Sequence, residues 1–87
     1  PVVTIEKPSD NTDTNESIVY IIGSSTNVAP GDAVKIYVNN VLNTTTVVLS
    51  DYTFSGTAEV SDYLGDSIGV EVTNSFSSFG EDSITIR

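Results

Sequence analysis

Hydrophobic and polar residues alternate over short stretches of the chain, and polar segments separate these stretches. Over residues 34–38, for example, valine and isoleucine alternate with Lys35 and Tyr37. Because successive side chains of a strand point to opposite faces of its sheet, this pattern is typical of strands with one buried face. Read along the whole chain, it predicts strands over residues 3–6, 18–22, 34–38, 41–49, 52–60, 68–72 and 84–86.

The segments between the predicted strands are rich in residues that favour turns. Residues 9–17 are all polar, and such side chains hydrogen-bond to the nearby backbone in place of strand pairing. Pro30 and Gly31 suit a type II turn. Asn39 and Asn40 suit a tight hairpin turn, since asparagine tolerates positive φ.

Two further boundaries follow from the same signals. Gly23 is predicted to end the second strand, and residues 74–82 are predicted to form a polar loop before the last strand. Seven short strands with turn signals roughly every 8–12 residues are typical of a sandwich of two antiparallel sheets. We therefore predict an all-β, two-sheet antiparallel β-sandwich.

Composition strengthens this prediction. Valine and isoleucine supply 20 residues, whereas leucine and alanine supply 6. Branched side chains lose rotamer freedom in helices and pack well on pleated sheets. The 87 residues suit one domain over positions 1–87, and strand-like runs at both ends suggest a domain cut from a longer, multidomain polypeptide.

The charge balance excludes several classes of partner. The formal net charge is -9, so the surface repels phosphate backbones and anionic lipid headgroups. The longest apolar run, residues 18–22, is far shorter than the roughly 20 helical residues that span a bilayer. We expect no nucleic-acid binding and no membrane insertion.

Missing residue types argue against catalysis. The chain has no cysteine and no histidine, which removes thiolate and imidazole metal ligands, a cysteine nucleophile and the commonest general base. No Gly-x-Ser-x-Gly elbow is present either. Glycoside hydrolysis needs two carboxylates about 5–9.5 Å apart in a groove, but the acidic residues lie mainly in predicted loops. We predict that the chain is not an enzyme.

Several stretches together resemble the Ig-like repeats of large bacterial surface adhesins, such as the extender modules of RTX-type and biofilm adhesins. The resemblance covers nearly the whole chain. The stretches that carry it are the strand ending at Gly23 and residues 3–8 (Val-Thr-Ile-Glu-Lys-Pro), 34–40 (Val-Lys-Ile-Tyr-Val-Asn-Asn), 51–55 (Asp-Tyr-Thr-Phe-Ser) and 65–74. It implies an Ig-like sandwich that serves as a stalk-forming, extracellular cell-surface module, joined to neighbouring Ig-like domains.

The resemblance also implies calcium at the junctions between domains. If the strands run in Ig order, successive loops alternate between the two ends of the sandwich, and one end collects several acidic residues. Calcium takes six to eight oxygen ligands, which such loops could supply. The candidate metal ligands are Asp10, Asp13, Glu16, Asp62 and Asp66. A solvated acidic loop in an acidic protein is the alternative interpretation.

Three aromatic residues are candidates for partner binding. Tyr37 is out of phase with the core positions of its strand, while Phe76 and Phe79 fall in the predicted last loop. Exposed aromatics at the end of a sandwich suit contact with a glycan, a host surface or a neighbouring domain. The alternative is that they cover the outer face of a sheet or plug the end of the sandwich.

Three functions are compatible with these features. The first is a non-catalytic spacer repeat of an exported bacterial adhesin, which we favour. The second is a carbohydrate-binding or host-binding accessory module of a secreted protein. The third is an Ig-like decoration module of a phage virion.

Overall fold

The structure is a computed structural model that describes residues 1–8, 17–60 and 65–86. Within this part, two antiparallel sheets form a sandwich, so the predicted all-β, two-sheet fold is confirmed. The strands are β1 (Val3–Lys7), β2 (Ile18–Ser25), β3 (Ala33–Val38), β4 (Val41–Val47), β5 (Thr53–Glu59), β6 (Ser67–Thr73) and β7 (Phe79–Thr85). No helix long and apolar enough to cross a membrane occurs in the described residues.

One sheet has the order β1-β2-β5 and the other β4-β3-β6-β7. The predicted tight turn explains why β4 lies beside β3. Asn39 and Asn40 have φ values of 51° and 67°, so the chain reverses within two residues and Val41 pairs with Val38. In the constant-type Ig sandwich the fourth strand pairs in the sheet of the first two strands. Here the hairpin places β4 beside β3 instead, so the sheet that contains β3 has four strands and the sheet that contains β1 has three.

The core lies between the sheets and is built from the inward positions that the alternation predicts. On β6, Ile68, Val70 and Val72 are buried, and the residues between them are half-buried. Phe54 of β5 is fully buried. Burial of such a side chain stabilises the fold by about 1.5–3 kcal/mol. The other large side chains that are fully buried in the described residues are Ile21, Val34, Ile36, Val48 and Ile86.

Gly23 does not end the second strand, contrary to the prediction. β2 continues through Ser25, and Gly23 pairs with both Ile5 and Phe54. A Cβ at position 23 would overlap the Phe54 ring and lie 2.5 Å from the Thr4 carbonyl oxygen. The glycine therefore makes room for the largest core side chain within a continuous strand.

The prediction of a loop over residues 74–82 is wrong in its second half. β7 begins at Phe79 and pairs with β6, so that Asp82 lies opposite Val70 and Glu81 opposite Glu71. The inward positions of this part of β7 are a glycine and an aspartate instead of apolar residues. The alternation of hydrophobic and polar residues was therefore absent, although the strand pairing is regular.

Side chains tie the two sheets together along both open seams. At one seam the Asn43 side chain accepts a hydrogen bond from Glu59 N at 2.9 Å and donates to Glu59 O at 3.4 Å. At the other seam Asp82 Oδ2 accepts a hydrogen bond from Ile5 N at 2.8 Å. The inward aspartate thus satisfies an edge-strand amide that would otherwise lack a partner in the ladder.

The loops divide between two poles at the ends of a body that measures 36 × 22 × 16 Å. The C-terminal pole comprises the Asn39–Asn40 turn, Gly65, Asp66 and Ile86. The N-terminal pole comprises Val2 and residues 26–32, 48–52 and 74–78. Asp66 and the Asn39–Asn40 turn lie together at the C-terminal pole, as Ig strand order predicts for Asp66, while residues 9–16, 61–64 and 87 lie outside the described residues.

Candidate functional site

Asp66 is the one candidate calcium ligand that the described residues include. It is 5% exposed, and its Oδ1 accepts a hydrogen bond from Asn39 Nδ2 at 3.1 Å. Asn39 Oδ1 in turn accepts one from Ser67 N at 3.0 Å. Asp66 therefore stabilises the hairpin turn against the start of β6.

The other four candidate ligands, Asp10, Asp13, Glu16 and Asp62, lie outside the described residues. In the part of the chain that the structure does describe, no three acidic side chains come together as a metal site. Calcium at the C-terminal pole thus stays a prediction.

Phe76 and Phe79 lie at the N-terminal pole and are 87% and 61% exposed. The turn that carries Phe76 is held by Asn74, whose Oδ1 accepts hydrogen bonds from Phe76 N at 3.0 Å and Ser78 N at 3.1 Å. Asn74 Nδ2 also donates to Asn27 O at 3.1 Å. The exposed ring therefore stands on an ordered platform.

Tyr37 is not brought together with these two phenylalanines. Phe79 lies opposite Thr73, which pairs with Ala33 at the start of β3. Tyr37 is four residues further along β3, about 13 Å away at the usual rise of a strand. The three predicted aromatic residues thus belong to two separate surfaces.

Sequence reasoning missed Tyr52 as a residue of the N-terminal pole. It was assigned to the fifth strand, but its φ is 65°, its side chain is 52% exposed and it precedes β5. Asp51 is the signal that could have revealed the turn, because aspartate often hydrogen-bonds the backbone two residues on. Its carboxylate accepts hydrogen bonds from the hydroxyl and the amide of Thr53, which lower the pKa of Asp51.

Hydrogen bonds between loops join the aromatic residues of this pole. Ser25 N donates to Tyr52 O at 3.1 Å, and Thr26 N donates to Val2 O at 3.1 Å. Asn27 and Val28 lie between two shallow depressions, one bordered by Tyr52 and the other by Phe76. The loops of the N-terminal pole therefore form a connected surface that carries the exposed rings of Tyr52 and Phe76, and Phe79 adds a third exposed ring at the start of β7.

The outer face of the four-stranded sheet carries a polar groove of about 370 Å³. Its centre is the cross-strand row Tyr37, Gly69 and Ser83, in which the middle residue has no side chain. The adjacent row contains Glu71 and Glu81, which lie directly opposite each other on β6 and β7. Sequence reasoning identified Tyr37 but missed the groove, because the pairing of β7 was not predicted.

The outer face of the three-stranded sheet is different in character. Ile18, Tyr20 and Ile22 of the central strand β2 are 46%, 74% and 41% exposed and form an apolar stripe. The neighbouring outward positions are mostly serine, threonine and glutamate.

Comparison of the sequence with protein-family models and with curated proteins, and of the fold with solved structures, yields no significant match.

Proposed function

We propose that this chain is a non-catalytic spacer module of an exported bacterial surface adhesin. It would lie outside the cell, in a row of similar domains, and hold functional parts of the parent protein away from the surface. The observation that carries the proposal is the position of the chain ends. The described chain begins at the N-terminal pole and its last described residue, Ile86, lies at the opposite pole of a body 36 Å long.

The direction of the edge strands β1 and β7 also suits a module under tension. β1 and β7 both run from the N-terminal to the C-terminal pole, and each pairs with an antiparallel neighbour. A force that pulls the two chain ends apart would act along these strands. It would load their backbone hydrogen bonds in shear, so that many bonds resist the force at once. The bond between Ile5 N and Asp82 adds a link between the two strands that bear the pull.

The N-terminal pole offers a surface for the preceding domain. Phe76 and Tyr52 are exposed there on loops that hydrogen bonds hold together. Burial of both rings against a neighbour would limit bending at the junction, since aromatic rings contribute large contact areas at low entropic cost. The neighbouring domain is thus the proposed partner of Phe76.

The direct test is the length of two copies of the chain joined end to end. We expect small-angle scattering to give a maximum dimension about twice the 36 Å long axis. Exchange of Phe76 for serine in both copies should leave each domain folded but broaden the distribution of lengths. A compact, side-by-side pair in the unchanged protein would contradict the spacer role.

Calcium is tested separately by thermal unfolding with calcium and with a chelator. A cation that binds the folded state at 100 times its dissociation constant adds about 2.7 kcal/mol to the free energy of unfolding. In a domain of this size the unfolding midpoint would rise by roughly 10–20 °C. An unchanged midpoint would remove calcium from the proposal and leave the spacer role intact.

A further inference from the structure

Gly69 is the one glycine of this chain that neither backbone conformation nor internal packing explains. Gly31 and Gly65 have positive φ values of 92° and 89°, which favour glycine. Added Cβ atoms at the other strand glycines would collide with neighbouring groups: Gly23 with Phe54, Gly56 with Ile36, and Gly80 with Pro1. At Gly69 the nearest such group is the Asp82 carbonyl oxygen, at 4.0 Å.

A glycine inside a strand weakens the strand, and it usually marks a bulge, a bend or the close approach of another group. The pairing of β6 with β3 and β7 is regular at Gly69, so no bulge is present. The Tyr37 ring does not fill the space either, because none of its atoms lies within 4 Å of a Cβ built at position 69. The space above Gly69 is therefore open, and a group from outside the molecule can approach the backbone there.

The lining of the groove indicates a ligand rich in hydrogen-bond donors. Glu71 and Glu81 offer only acceptors when ionised, while Ser67, Ser83 and Asn40 offer both donors and acceptors. The Tyr37 side chain borders the same groove, and aromatic rings attract cations. A donor-rich group that also stacks on an aromatic ring would use every part of this lining.

The charge of the groove favours a cation over a neutral sugar. Glu71 and Glu81 lie directly opposite each other on the adjacent strands β6 and β7, and two like charges in this arrangement destabilise a sheet. Lys35 lies opposite Glu71 on the other side, so the row holds two carboxylates and one ammonium group. The net charge of -9 further raises the local concentration of cations.

We propose that the groove above Gly69 binds the guanidinium group of an arginine side chain on a basic partner polypeptide. The guanidinium group is planar, carries five donors in a fork that matches a carboxylate, and stacks on aromatic rings. It fits against the open floor at Gly69, with Glu81 and Glu71 as acceptors and Tyr37 at its side. This binding role goes beyond the spacer role and does not depend on it.

The test is an NMR titration of the protein with N-acetylarginine amide, followed by the backbone amide signals. We expect the largest shifts at Gly69, Glu71 and Ser83. Glu81→Gln should weaken binding by about tenfold, since a charge-assisted bidentate contact is lost. Gly69→Thr should abolish binding without a change in net charge, because its side chain occupies the floor of the groove. Glu59→Gln, on the opposite sheet, is the control for the loss of one charge and should bind as the unchanged protein does.

Several outcomes would overturn the proposal. One is equal binding by Gly69→Thr, which would indicate general attraction of cations to an acidic protein. Equal binding of N-acetyllysine amide would argue against recognition of the guanidinium group. Shifts at the same amides with neutral oligosaccharides, but none with the arginine probe, would assign the groove to a glycan instead. Thermal unfolding of all three variants establishes that they are folded.

Discussion

The two sheets of the sandwich share one core, but their outer faces differ in polarity. The three-stranded sheet exposes the apolar side chains of Ile18, Tyr20 and Ile22, whereas the four-stranded sheet exposes a polar groove with Glu71 and Glu81. Two strand glycines, one in each sheet, also differ in role. Gly23 makes room on the inner face for a core ring, and Gly69 leaves an opening on the outer face.

This contrast separates residues that the fold needs from residues that it does not. Inner positions must fill the space between the sheets at high density, so packing limits which side chains they can hold. At outer positions the side chains are constrained by contact with solvent and with binding partners. An outer feature that costs stability, such as the facing pair Glu71 and Glu81, therefore points to a role outside the fold.

Alanine substitutions at the two glycines test this separation with the largest expected effect. Gly23→Ala should lower the free energy of unfolding by about 1–3 kcal/mol, because the new methyl group overlaps Phe54 and the backbone of Thr4. Gly69→Ala should raise it by about 0.5–1 kcal/mol, since the position is open and alanine reduces the entropy of the unfolded chain. Urea denaturation of both variants measures the difference. Equal destabilisation would mean that Gly69 also serves packing.

A second pair of variants compares neighbouring acidic residues on β7, one inward and one outward. Asp82→Asn should destabilise the protein by about 1 kcal/mol, because a charged acceptor of the Ile5 amide becomes neutral. Glu81→Gln should stabilise it by about 0.2–1 kcal/mol, because repulsion with Glu71 is lost. Each variant removes one negative charge, so each is the control for the other. The same sign of change in both would show that total charge, and not position, decides stability.

The smallest expected effect concerns pH and the turn before β5. Hydrogen bonds from the hydroxyl and the amide of Thr53 lower the pKa of Asp51 from its ordinary value of 3.8. A group whose pKa is lowered by folding stabilises the folded state above its unfolded pKa, and loses this effect as the pH falls through its folded pKa. Asp51→Asn should therefore lower the unfolding midpoint slightly at pH 7 and make no difference well below pH 3.8. A difference that persists at low pH would attribute the effect to the shape of the turn alone.

The inward positions of β3 and β6 are all branched and apolar, and their alternation with polar residues makes these strands easy to predict. β3 and β6 were predicted to within one residue at each end, and the Asn39–Asn40 turn was predicted as it occurs. The first half of β7 was missed because its inward positions are Gly80 and Asp82. Asp82 reads as a loop residue until its tertiary partner, the Ile5 amide, is known.

The candidate sites show the same division. Phe76 and Phe79 were expected in one loop at the end of the sandwich; Phe76 does lie in the turn between β6 and β7, whereas Phe79 is the first residue of β7. The distance between them and Tyr37 depends on the start of β7, which the pattern did not predict. The groove could not be foreseen at all, because Gly69 becomes unusual only when the space around it is known.

Asn43 covers part of an exposed sheet edge, which matters where many molecules lie close together. Its amide group occupies both hydrogen-bonding groups of Glu59 at the free edge of β5, as a neighbouring strand would. An exposed edge is the usual place where sheets of different molecules join and aggregate. In the proposed row of similar domains, each copy of Asn43 would keep this part of the edge from pairing with a strand of the next copy.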